Sequence, residues 1–147
     1  MGCKSIKQIT FIVPSSLGTL ENYVFASCNS LTQIEIPPSV RSIGDYAFYG
    51  CNSLHCTIPS TVILIGNNAF ASCFSLTQIE IPSSVRSIGD NAFLYCLGLK
   101  QITIPSSVKY IGKDVFFGCS ALQQITIPSS FDQNNLSIPS SAKITTF

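Results

Sequence analysis

The sequence predicts a solenoid of stacked short parallel β-strands with one-turn helical corners, mainly β with minor α. Three observations lead there. The first is a duplication: Leu31–Cys51 reads LTQIEIPPSVRSIGDYAFYGC and Leu76–Cys96 reads LTQIEIPSSVRSIGDNAFLYC, differing only at Pro38/Ser83, Tyr46/Asn91, Tyr49/Leu94 and Gly50/Tyr95. The second is a period. Cys28, Cys51, Cys73, Cys96 and Cys119 follow at steps of 23, 22, 23 and 23, and Phe25, Phe48, Phe70, Phe93 and Phe116 keep step with them. So do Leu31, Leu54, Leu76, Leu99 and Leu122. The third is the grammar L-x-x-I-x-I-P-S-S-V-x-x-I-G-x-x-A-F-x-x-C, whose apolar positions recur through the regular units. A unit this small cannot bury its own apolar face and must stack on copies of itself, so equivalent positions meet equivalent surroundings and the text repeats.

All of 1–147 reads as a single repeat domain. Its N-terminal coil, about 5–28, is expected to be irregular, because Gln8 falls at the leucine position and Glu21 at the turn glycine. Regular repeats occupy about 29–128. In LTQIEIP, Ile79 and Ile81 alternate with Gln78 and Glu80, as in a half-buried strand. Pro82 removes an amide donor and ends it. SSVRSIG is a second extended piece, and its Gly89 suggests a tight turn with positive φ. GDNAFLYC places Ala92, Phe93 and Cys96 at helical spacing, which predicts a single helical turn with Asp90 near its cap. The third unit, SLHCTIP, is one residue short and has Cys56 at an isoleucine position. From about 129 to 147 the sequence predicts a shortened closing coil. There Phe131 holds the valine place, Asn134-Asn135 replaces Ile-Gly, and the AFxxC segment is gone.

These units resemble the BspA-like leucine-rich repeats of bacterial and protist surface proteins, whose usual unit is close to LxxIxIPxSVxxIGxxAFxxC. The resemblance runs from about Ile9 to Pro128. It implies a leucine-rich-repeat solenoid with parallel strands about 4.8 Å apart, and a non-enzymatic protein-binding scaffold of the surface adhesion or recognition type. The alternative is a structural subunit of an intracellular assembly or a homo-oligomer.

Composition narrows the partners. Hydrophobic residues make up 46% of the chain and charged residues 10%, with a net charge of +1. Ordinary domains are about 25% charged. There is no basic stripe to hold nucleic acid, and a weakly charged surface favours another protein or self-association. No apolar run approaches the roughly 18 residues of a membrane span, and the run Ile9–Val13 is too short for a signal-peptide core. Gly2 and Cys3 suit dual acylation, but Ile6 stands where that motif needs Ser or Thr, which argues against it. The absent signal peptide and free cysteines favour the cytoplasm, whereas the family resemblance points to a cell surface. No phosphate loop, HExxH or GxSxG is present, so neither an enzyme nor a cofactor is expected.

Several residues invite a chemical reading. The five periodic cysteines fit a column of buried thiols better than disulfides, and all seven, Cys3 and Cys56 included, are expected to be free thiols. His55 and Cys56 are neighbours on a strand and should point to opposite faces, so they make a poor metal pair. Glu35 and Glu80 share an outward column with Thr57 between them. Their separation matches that of an inverting glycosidase, yet a flat sheet face offers no pocket to raise one carboxyl's pKa. Arg41, Arg86 and Lys109 share another column, interrupted by Ile63. Phe74, Leu94, Tyr95, Leu97 and Phe117 are large apolar residues at or beside the corner, where the core grammar requires none. An exposed apolar patch marks an interface, so these five are the first candidates for protein binding. The polar strand face carrying Gln33, Glu35, Gln78 and Glu80 is the second.

Overall fold

A computed structural model describes residues 3, 5–12 and 16–147. Gly2 of the acylation pair, and Val13 at the end of the N-terminal apolar run, lie outside these residues. A regular coil gives one rung to each of two parallel sheets and then turns a corner. The first coil supplies β1 (Gln8–Ile9) and β2 (Thr19–Leu20), the second β3 (Gln33–Glu35) and β4 (Ser42–Ile43), and the third β5 (His55–Thr57) and β6 (Leu64–Ile65). The fourth has β7 (Ser87–Ile88), and the fifth β8 (Gln101–Thr103) and β9 (Tyr110–Ile111). β10 (Gln124–Ile127), a 3-10 helix (Gln133–Leu136) and β11 (Lys143–Thr146) complete the stack. The first sheet contains β1-β3-β5 and β8-β10-β11; the second runs unbroken as β2-β4-β6-β7-β9. The fold is therefore a leucine-rich-repeat solenoid with almost no helix.

Local chemistry fixes each segment. After each first-sheet segment the proline carbonyl accepts from the valine three residues on, at 3.0 Å for Val40, Val62 and Val85 and 3.1 Å for Val108. These bonds turn the chain from the first sheet into the second. The inward faces supply a continuous core in which the phenylalanines stack. Successive ring centroids from Phe25 to Phe116 lie 5.4, 5.3, 5.5 and 6.1 Å apart.

The corners are runs of hydrogen-bonded turns rather than a turn of α-helix. Tyr46, Asn68, Asn91 and Asp114 have φ of 57°, 53°, 56° and 53°, which a right-handed helix excludes. With those residues left-handed, alternate amides point along the stack. Phe48, Phe70 and Phe93 N–H groups donate to Ala69, Ala92 and Val115 of the following coils at 2.8, 2.9 and 3.1 Å. The remaining amides close turns within the coil, as Cys51 does on the Phe48 carbonyl at 3.1 Å. The corner is thus a third hydrogen-bonded ladder.

Two further expectations change for the same reason. Asp90 does not cap a helix: its Oδ1 accepts from the Lys113 N–H of the next coil at 2.9 Å. It belongs to a ladder in which Asn22, Asp45 and Asn67 do the same at 2.7, 2.7 and 2.8 Å. Gly89 is needed for close approach rather than for positive φ. A Cβ there would lie 2.6 Å from Asn67 N and 2.7 Å from the Gly66 carbonyl carbon.

The first coil is shifted from its expected register. Gln8 pairs with Gln33 and Ile9 with Ile34, while Thr19 pairs with Ser42. Gln8 therefore sits in the glutamine column instead of the leucine position, and this coil carries two more residues between its strands than the second coil does. At the other end, the 3-10 helix replaces a corner. Asn135 and Leu136 carbonyls accept from Asp114 and Phe116 at 2.8 and 3.0 Å, and Leu136 is buried.

The first sheet is interrupted between the third and fourth coils. β5 pairs with β3, but no ladder joins it to the next rung, which makes only a single bridge, Gln78 to Gln101. The third coil is the one that lacks a residue, and Cys56 there takes the place of an isoleucine in register with Ile34.

Candidate protein-binding surfaces

At the corner, Phe74, Tyr95, Leu97 and Phe117 are exposed to 42%, 43%, 41% and 48%. They come from the third, fourth and fifth coils. The rings of Tyr95 and Phe117 meet edge to face with centroids 5.6 Å apart. Tyr95 also lies over Gly118, where any Cβ would collide with the ring, and Gly118 has a φ of 73° that favours glycine. Part of this side chain is therefore used within the molecule. Leu94 is half-buried and contributes less surface than the other four.

A second aromatic cluster lies toward the N-terminal end of the same edge. Tyr23 and Tyr46 stack with centroids 4.7 Å apart and planes within 5°, and Tyr49 meets Tyr46 edge to face at 5.8 Å. Tyr23, Val24 and Tyr49 are exposed. Sequence reasoning missed this cluster, although two of the four differences between the twin segments, at Tyr46 and Tyr49, signal it.

The strand face forms a shallow groove of about 1340 Å³. Gln33, Glu35, Gln78 and Glu80 all line it, together with His55, Thr57, Thr103 and Thr126. The groove spans the interruption in the first sheet. His55 is exposed and its Nδ1 donates to the Ser53 carbonyl at 3.1 Å, whereas Cys56 is half-buried in the isoleucine column. The two do point apart. Among the described residues no three His, Cys, Asp or Glu side chains come together as a metal site. No helix among them is long and apolar enough to cross a membrane.

All seven cysteines are thiols. Four form a column whose S–H groups donate along the stack. Cys51, Cys73, Cys96 and Cys119 reach the carbonyls of Phe25, Phe48, Phe70 and Phe93 at 3.0, 3.2, 3.2 and 3.1 Å. A small, weakly polar donor suits a core position that faces a carbonyl. Burial pushes the Cys51, Cys56 and Cys119 thiols up to about 12. It also holds Cys73 and Cys96 well above the ordinary thiol value. These groups are protonated and unreactive near neutral pH.

The sheets, the corner ladder and the phenylalanine and thiol columns repeat at one period over the length of the chain. The profile of the BspA type leucine rich repeat region matches it in six copies, over residues 1–123 and 42–147. The chain belongs to the BspA-type leucine-rich-repeat family. A leucine-rich repeat protein from Bacteroides ovatus is similar in structure, with a TM-score of 0.78 at 28% identity; the match covers 97% of this chain and 43% of that one. The T. pallidum leucine rich repeat protein gives a TM-score of 0.76 at 29% identity, over 92% of this chain and 69% of its own. This chain thus spans less than half the length of the Bacteroides protein. Among curated protein sequences there is no match. BspA-type repeats build a non-catalytic scaffold of the protein-interaction kind, and the columns described above are its supports.

Proposed function

We propose that this chain is a non-enzymatic protein-binding scaffold of the recognition or adhesion type, acting as one repeat domain, and that its corner patch makes the contact. One observation carries the reading. Phe74, Tyr95, Leu97 and Phe117, on three adjacent coils, each leave about two-fifths or more of their surface in water. Stacking alone demands no large apolar group there, since Asn52, Gly50 and Ala71 serve at equivalent places. Covering such a patch contributes about 25 cal/mol per Å² of apolar surface before association costs.

The experiment is affinity capture from the native source followed by mass spectrometry, with wild type beside Phe74→Asp combined with Leu97→Asp. These two residues are chosen over Leu94 and Tyr95 because the latter also pack within the molecule. The expected result is loss of the captured protein with an unchanged melting temperature. Undiminished capture would transfer the role to the strand face of Gln33, Glu35, Gln78 and Glu80.

A further inference from the structure

The duplicated segments place opposite charges on two different faces at one spacing. On the first sheet, Glu35 and Glu80 are exposed, with the rung of Thr57 between them. Beside the second sheet, Arg41, Ile63, Arg86 and Lys109 occupy successive rungs. The Ile63 N–H donates to the Arg41 carbonyl at 2.7 Å, Arg86 to Ile63 at 2.8 Å, and Lys109 to Arg86 at 2.8 Å. Rungs about 4.8 Å apart in the unbroken second sheet put Arg41 and Arg86 roughly 10 Å apart, while Glu35 and Glu80 stand on the same two coils across the interruption of the first sheet.

The faces match in more than charge. One reads acid, threonine, acid, threonine through Glu35, Thr57, Glu80 and Thr103. The other reads base, apolar, base, base. The basic face also holds exposed apolar surface at Ile63, Leu64 and Tyr110. Arg86 is braced for contact, its Nη1 donating to the Ser83 and Ser84 carbonyls at 2.8 and 3.0 Å. Among the described residues neither glutamate and neither arginine has an ion-pair partner.

We propose that a second copy of this chain docks its Arg41–Ile63–Arg86 face onto the Glu35–Thr57–Glu80 face of the first. Glu35 meets Arg41 of the neighbouring copy and Glu80 meets its Arg86. Thr57 receives Ile63 between them. Both pairs come from the second and fourth coils, so a placement that joins one pair brings the other within reach. The contact joins unlike faces, so a pair of copies retains one free face of each kind and the assembly is open-ended. None of these residues belongs to the corner patch, and the inference goes beyond the function proposed for it.

Sedimentation velocity of the full chain tests this from micromolar to millimolar concentration. At about 0.01 M salt, where charges act over about 30 Å, the average mass rises with concentration; at about 1 M salt it falls back to the monomer. Glu35→Arg with Glu80→Arg stays monomeric, and so does Arg41→Glu with Arg86→Glu. Mixed in equal amounts, the two variants associate again, because each presents the face the other now needs. Glu35→Gln with Glu80→Gln, milder on the fold, weakens association about tenfold. Phe74→Asp with Leu97→Asp leaves it unchanged. The proposal is overturned by a wild type that stays monomeric at low salt, by reversed variants that associate alone, by a mixture that does not, or by loss of association in the corner variant.

Discussion

Phe93→Ala tests the packing at its centre. The Phe93 side chain is fully buried, and its ring lies between Phe70 at 5.5 Å and Phe116 at 6.1 Å, with planes within 5° of each. Removing a buried phenylalanine costs about 3–5 kcal/mol. Two stacked neighbours place this site at the upper end, since each aromatic pair adds about 0.5–1.5 kcal/mol beyond its area. A loss near 4–5 kcal/mol is a third or more of the roughly 5–15 kcal/mol that holds a typical domain together. The N-terminal member of the column is the control. Phe25 is half-buried and has one ring neighbour, Phe48 at 5.4 Å, so Phe25→Ala should cost about half as much. Guanidinium denaturation followed by circular dichroism measures both. A cost below about 1 kcal/mol at Phe93, or a cost at Phe25 equal to it, would refute the stacked-column account.

The thiols give a pH dependence with a definite sign. A thiol of ordinary pKa 9.0 when unfolded and about 12 when folded binds more protons in the native state between those values. Its stabilisation is complete below pH 9 and is lost as pH rises toward 12, at about 1.4 kcal/mol per pH unit for each such thiol. Melting temperatures measured across that range should fall steeply, and a flat profile would contradict the buried column. Thiol titration in denaturant without reductant should find about seven reactive groups, the number in the sequence; two or fewer would mean disulfides. Gly89→Ala should destabilise by about 1–3 kcal/mol, because two of the three atoms nearest the new methyl are backbone and the third, Asn67 Oδ1, is held by the Asp90 N–H. Gly18→Ala, with nothing within 4 Å of the new methyl, should change the denaturation midpoint little; comparable losses at both sites would show that close coil approach is not the cause.

The columns were legible because each apolar position meets its own kind in the adjacent coil, so the period of Leu, Ile, Val, Phe and Cys maps directly onto the core. The corner was harder to read. Ala92, Phe93 and Cys96 have the spacing of a helical face, and a run of left-handed turns reproduces it. The clue lay in Asn68, Asn91 and Asp114, residue types that tolerate positive φ. The first coil was misaligned because its extra residues fall between the strands, where no periodic residue marks them. At the candidate site, four of the five apolar residues are well exposed, and Leu94 is half-buried. Tyr95 turns onto Gly118, a contact hinted at only by the exchange of tyrosine for glycine in one column. The Tyr23–Tyr46 stack was hidden because one of its members lies in the irregular first coil.

The gap in the first sheet has a mechanical meaning. Among the first three coils, adjacent coils are tied along three edges, by the two sheets and the corner. Between the third and fourth coils the second sheet and the corner remain tied, and the strand edge keeps no ladder, only the Ser75 N–H on the Asn52 carbonyl at 2.9 Å just ahead of it. A rod whose lacing is loosened on one side at one level bends there, about the two laced sides as a hinge. The groove lies across that level, so bending widens or narrows the groove while the blocks on either side stay rigid. Amide exchange on the strand edge should accordingly be fastest around His55–Thr57 and Gln78–Glu80. Tension along the stack should open this level on its strand side, where the three N-terminal coils meet the remainder.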